Sequence, residues 1–204
     1  ILTADIDYGT DQLAIAKAIT LDLGGKTLTG ENVYPVIRVQ EGATVTVTGN
    51  GSIVNATDYV FVLGSSDQTS AGYLTIENGT FVGQTTVASV TKGILSVNGG
   101  TFKCTASEYG SDYMFNCVDA NYKNGTAQIV VKGGTFVGFD PMNNAAEGAG
   151  TDFVPETHIS VDNGDGTYTF TMPEADTDSF TAVIFNDLHQ RGSVFQALLK
   201  QVEN

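Results

Sequence analysis

The chain has 204 residues, 24 of them Gly, and its 23 acidic against nine basic side chains leave a formal net charge of −14. Gly at roughly 12%, against a usual ~7%, beside abundant Val, Ile, Thr and Phe, indicates an all-β protein with many turns. The glycines keep no triplet register, which excludes collagen, no apolar run approaches the ~20 residues of a membrane helix, and a pI near 4.2 argues against nucleic acid or anionic membranes as partners.

The chain starts at Ile1 with neither an initiator Met nor a basic–apolar–small leader pattern, so a processed product is expected. Leu13-Ala-Ile15 is the first short apolar stretch. Five copies of one phrase follow: apolar, polar, apolar, a Gly-rich corner, then apolar. They are Leu21-Asp-Leu23 with Leu28, Val45-Thr-Val47 with Ile53, Leu74-Thr-Ile76 with Phe81, Leu95-Ser-Val97 with Phe102, and Ile129-Val-Val131 with Phe136. The last three corners read Asn78-Gly-Thr-Phe81, Gly99-Gly-Thr-Phe102 and Gly133-Gly-Thr-Phe136. A third apolar stretch separates the copies: Val36-Ile-Arg-Val39, Val60-Phe-Val-Leu63, Val87-Ala-Ser-Val90 and Met114-Phe-Asn-Cys117.

Three short strands per repeat, at intervals of 21 to 34 residues, match the coils of a parallel β-helix. Five coils would rise about 24 Å at the usual strand spacing. Alternation puts Leu, Val, Ile and Phe inside and leaves an outward row of Asp22, Thr46, Thr75, Ser96 and Val130. A β-sandwich also uses evenly spaced strands, but it does not explain one corner phrase recurring at one phase.

After the fifth copy the rhythm breaks. Residues 139–150 read as a long loop or cap. Ile159-Ser-Val161 and Tyr168-Thr-Phe170 around Asn163-Gly-Asp-Gly166 form a strong hairpin signal, placed to cover the end of the solenoid. The domain limits are therefore 1–172 for the β-helix with its hairpin cap and 173–204 for a tail. That tail contains a strand at 180–185 and a helix over 187–203. Leu188, Phe195, Leu198, Leu199 and Val202 share one face of the helix, which suits capping, attachment or oligomerisation.

The Gly-Gly-Thr-Phe coils and Ile19-Thr-Leu-Asp-Leu-Gly-Gly-Lys-Thr-Leu28 resemble the right-handed parallel β-helix proteins of the pectin-lyase-like class. The likeness extends to repetitive surface proteins of gut bacteria and virion proteins of their phages, and covers residues 1–172. It implies an extracellular setting, on a bacterial cell surface or a virion, and a trimer or larger assembly as partner. The fold hosts enzymes, adhesins and spikes alike, so the resemblance speaks to architecture more than activity.

Enzymes of that class rely on acid clusters helped by calcium and Arg, or on carboxylates paired with His. Here Arg38 and Arg191 stand apart from acidic runs, and the Gly-His-Gly and Arg-x-Lys words have no match. No carboxylate pair can be placed by phase for general acid–base work. His158 and His189 are isolated. Asp162 to Gly166 lacks calcium-loop spacing and reads as a turn. Cys104 and Cys117 fall on successive strands of the fourth coil, as buried thiols or as an internal disulfide. The sequons at Asn50, Asn55, Asn78 and Asn124 mostly have Gly in the middle and read as turns.

Functional character lies in insertions: 64–72 from coil two, then 105–112 and 119–125 from coil four. The fourth coil's loops carry Glu108, Tyr109, Asp112, Tyr113, Asp119 and Tyr122. Aromatic faces beside carboxylates suit stacking on a sugar and bonding its hydroxyls, with Tyr109, Asp112, Asp119 and Tyr122 as the candidate ligand-binding set. The expectation is a noncatalytic structural or adhesive β-helix that binds a cell-surface glycan, without cofactor, metal, nucleic acid or membrane insertion. A polysaccharide lyase or glycoside hydrolase is the alternative.

Overall fold

The computed structural model describes residues 1–106 and 111–172. Tyr109 and Glu108 lie outside the described residues. So do the tail strand, its helix and the attachment set Leu188, Phe195, Leu198, Leu199 and Val202.

Three parallel sheets are built in strict rotation along the chain. Sheet A stacks β1 (Ile6–Gly9), β4 (Thr27–Gly30), β7 (Ser52–Asn55), β10 (Thr80–Gly83), β13 (Thr101–Cys104) and β16 (Thr135–Val137). Sheet B stacks β2 (Leu13–Ile15), β5 (Ile37–Val39), β8 (Phe61–Leu63), β11 (Ala88–Val90) and β14 (Phe115–Cys117). Sheet C stacks β3 (Ile19–Asp22), β6 (Thr44–Thr48), β9 (Gly72–Ile76), β12 (Gly93–Val97) and β15 (Ala127–Val131). Each coil runs C, A, B and then steps up one strand spacing. The result is a right-handed parallel β-helix, not a sandwich.

The interior is one continuous apolar column. Sheet A contributes Leu28, Ile53, Phe81, Phe102 and Phe136, directly above one another by strand register. Phe81 and Phe102 stack with ring centroids 5.3 Å apart and an interplanar angle of 19°. Phe102 and Phe136 follow at 5.0 Å and 7°. Phe61 and Phe115 enter from sheet B, and Phe115 meets Phe102 edge-on at 5.2 Å. One strand spacing of about 4.8 Å is close to the separation at which aromatic rings stack, so the coil pitch and the ring packing reinforce each other.

That column accounts for the Gly-Gly-Thr-Phe words. Gly100 and Gly134 have φ of 104° and 118°, a region that side chains avoid. A Cβ on Gly134 would also lie 3.1 Å from the rings of both Phe102 and Phe136. The second Gly of the phrase therefore turns the corner and leaves room for two phenylalanines.

Sheet C corrects one alignment. Leu21, not Leu23, pairs with Val47, and Ile19 pairs with Val45. Coil one is displaced by two residues from the expected stacking. A two-residue shift keeps the same face inward, though on this outermost strand Ile19 stays exposed and Leu21 partly buried. The outward row changes, however: Thr20 takes the place expected for Asp22, giving Thr20, Thr46, Thr75, Ser96 and Val130. Asp22 instead accepts the Gly24 amide at the corner.

The expected hairpin is present as β17 (Ile159–Asp162) and β18 (Thr167–Thr171), which join sheet A antiparallel to β16. Phe170 closes the ring column, edge-on to Phe136 at 5.7 Å. The hairpin caps sheet A alone. Above the other two sheets lies the 139–154 segment, which buries Phe139, Ala146, Phe153 and Val154 and whose Phe153 carbonyl accepts the Val131 amide. Among the described residues, no helix is long and apolar enough to cross a membrane.

Because Phe102 touches rings in the coils above and below, Phe102→Ala should cost about 3–5 kcal/mol. Denaturant titration checks it; a midpoint equal to the parent's would contradict the assigned column.

Candidate functional site

The three corners of the coil are unequal. From sheet C to sheet A the turns are tight in every coil, as at 49–51, 77–79, 98–100 and 132–134. The longer connections border sheet B on both sides: 31–36, 56–60 and 105–114 enter it, and 64–71 and 118–126 leave it. The insertions read from sequence thus flank a single face.

The floor of that face is the outward row of sheet B: Ala14, Arg38, Val62, Ser89 and Asn116. Arg38, Val62 and Ser89 are buried although their strand neighbours fill the interior, so flanking groups cover them. Arg38 lies across the floor. Its Nε donates to Gln12 Oε1 at 3.3 Å, its Nη1 donates to the Gly64 carbonyl at 3.2 Å, and its guanidinium carbon sits 5.9 Å from the Tyr34 ring centre. Tyr34 in turn meets Tyr59 edge-on at 5.1 Å.

On the exit side the two insertions are tied together. Asn121 Nδ2 donates to Gln68 Oε1 and to the Thr91 carbonyl, and Lys92 Nζ donates to the Thr69 carbonyl. The 64–71 loop is braced by Asp67, whose Oδ1 accepts from the Ser65 and Thr69 hydroxyls. Those bonds hold its carboxyl down at about 2.

The expected ligand set is divided by this geometry. Asp112 is exposed on the entry side, beside Tyr113. Asp119 and Tyr122 lie on the exit side, where the expected loop is a single helical turn, α1 (Asp119–Lys123). Tyr122 is half-buried and packs edge-on against Phe153 at 6.4 Å, so it braces the cap. The entry side supplies aromatics that the sequence reading overlooked: Tyr34 and Tyr59. The available signal was positional. Asp58-Tyr59 and Asp112-Tyr113 occupy equivalent places, two residues before the strand register Phe61–Ala88–Phe115.

Beside α1, Glu147 accepts the Cys117 amide on Oε1, while its buried Oε2 has no partner. Burial, and then the Asp119 charge, push its carboxyl above the usual glutamate range, against the Cys117 amide bond and Lys123. The cysteines are free and buried, not joined in a disulfide. Burial pushes the Cys104 thiol up to about 12, and Cys117 is driven higher still by burial and by Glu147. Neither is poised as a nucleophile at neutral pH. His158 is bonded to its neighbour Thr157 through Nδ1. Among the described residues, no three His, Cys, Asp or Glu side chains gather as a metal group.

No family model, curated protein or solved structure matches this chain.

The Glu147 geometry fixes a sign. A carboxyl raised in the folded state holds its proton where the unfolded chain has lost it, so stability falls as pH rises through that window. Glu147→Gln keeps an acceptor for the Cys117 amide and removes the charge. Melting temperatures measured from about pH 4 to 7 should show a shallower decline for Glu147→Gln, with the variant more stable at the upper end. Parallel curves would refute the assignment.

Proposed function

We propose that this protein is a noncatalytic structural and adhesive β-helix, displayed on a bacterial surface or a phage particle, that binds glycan across the outer face of sheet B. The observation that carries the reading is the convergence of the long connections on the two edges of that one sheet, around a floor containing Arg38, Ser89 and Asn116 with Tyr34, Tyr59 and Tyr113 along its entry side. Aromatic faces beside neutral hydrogen-bonding groups suit sugars, whose rings offer C–H faces and whose hydroxyls both donate and accept. The Gly-Gly-Thr-Phe resemblance to pectin-lyase-like surface and virion proteins supports the same setting.

Chemistry at the site favours binding over turnover. Its two thiols are held protonated, and Asp112 and Asp119 lie on opposite sides of sheet B. Glycosidic cleavage by acid and base requires two carboxyls about 5–9.5 Å apart across one bond, a role that the opposed Asp112 and Asp119 do not fill and that the turnover test puts to Asp58 and Asp112. The test is incubation with pectins, alginate and host glycans, followed by assay for reducing or unsaturated ends and for retention of the glycan. Retention without new chain ends is expected. Turnover abolished by a single Asp substitution would replace this reading with a lyase or hydrolase.

A further inference from the structure

Resting on the glycan-binding reading, we infer that the cleft over Thr86 is a subsite for one uncharged sugar ring and that the aspartates flanking it select against uronic acids. The cleft is lined by Tyr59, Thr85, Thr86, Tyr113 and Asn116 and has a volume of about 250 Å³. Drug-sized ligands occupy roughly 300–1,000 Å³, so this space suits a single ring.

Its construction follows from strand register. Phe61, Ala88 and Phe115 are aligned across coils two, three and four. Two residues earlier in each coil stand Tyr59, Thr86 and Tyr113, and all three line the cleft. The cleft thus has an aromatic side chain from coil two and another from coil four, with the smaller Thr85 and Thr86 of coil three as its lining between them, which leaves room for a sugar ring to pack on an aromatic face.

The polar groups are placed for a ligand with hydroxyls. Thr86 is fully buried and its hydroxyl has no partner, a costly condition in a folded chain. Asn116 Oδ1 accepts the Cys117 amide, which leaves its NH₂ to donate to a ligand in the cleft it lines. The Thr85 carbonyl receives the Cys104 thiol at 3.3 Å, and its hydroxyl remains for the cleft. A purely apolar ring would satisfy none of these groups.

Charge sets the class. Asp58 and Asp112 immediately precede the two lining tyrosines, Tyr59 and Tyr113, so a carboxylate is carried next to each aromatic side of the cleft. Asp58 has one oxygen engaged by the Tyr59 amide. The Arg38 guanidinium is outside the cleft lining, engaged with Gln12, the Gly64 carbonyl and the Tyr34 ring, so a uronate carboxylate brought here meets two like charges on a chain of net charge −14, whereas a neutral hexose offers hydroxyl donors to both.

The full chain should be titrated against gluco-, manno-, galacto- and N-acetylglucosamine oligosaccharides and, in parallel, against oligogalacturonate and alginate oligomers. At least one neutral oligosaccharide should bind, with the acidic ones at least tenfold weaker. Tyr59→Ala and Tyr113→Ala should each weaken that binding at least tenfold, and Tyr59→Phe should retain most of it. Thr86→Val supplies a control that cannot be confused with misfolding. It removes the unpartnered hydroxyl, so the melting temperature should hold or rise while affinity falls. The Asp58→Asn, Asp112→Asn double variant should narrow the gap between neutral and acidic sugars. Neutral-sugar binding unaffected by both tyrosine variants and by Thr86→Val would move the site elsewhere and leave the glycan reading standing. Preference for the uronates would overturn the selection by charge. Failure of every glycan to bind would remove the functional reading itself.

Discussion

Register between coils is the constraint on which the molecule depends, and the phenylalanine column enforces it. Phe81, Phe102 and Phe136 stack at 5.0–5.3 Å, close to the pitch at which parallel strands hydrogen-bond. A coil slipped by one residue would turn its apolar set outward and break the stack at once. Gly100 and Gly134 belong to the same constraint, because the rings they border leave no room for a side chain at the corner. Holding one corner so tightly frees the others. Connections around sheet B lengthen without disturbing the interior, and the candidate site is built from them.

Much of the fold was legible because its signals are local and repeated. Parity of the apolar positions, the corner words and the Asn163-Gly-Asp-Gly166 turn each have a short-range physical cause, and each appears where expected. The displacement of coil one was not legible. Ile19, Leu21 and Leu23 alternate without a break, so a shift by two residues gives an equally apolar interior. Only strand pairing decides between the two, and it favours Leu21 over Leu23 as the partner of Val47. The division of capping work was similarly hidden: the hairpin signal is strong, while Phe139 and Phe153 lie in a segment with no period to read.

The candidate site was legible only in part, for a geometric reason. Insertions stand out as interruptions of the repeat, and they do mark the functional face. Which side chains meet there depends on neighbours 27 residues apart in sequence but one strand apart in space, as with Tyr59 and Thr86. Asp119 and Tyr122 leave coil four on its other side from Asp112, yet all three belong to the same coil's loops and so read as one ligand set. The turn of the coil puts them on opposite edges of sheet B, and Tyr122 is occupied with Phe153. Tyr59 sits in the five-residue 56–60 connection, which does not stand out as an insertion in the repeat until Asp58-Tyr59 and Asp112-Tyr113 are seen to share a position.

The interior also changes character along its axis. Coils one and two fill the sheet A column with Leu28 and Ile53, whereas the three coils above them fill it with rings and end beneath Phe139 and Phe170. In a solenoid, where each repeat is held by its neighbours alone, cohesion is a sum of local interfaces. An aromatic interface gains specific ring contacts beyond its buried area, and an aliphatic one does not. The rod is therefore mechanically polar: amide exchange and unzipping enter through the aliphatic coils, and the ring-filled segment is the last to open.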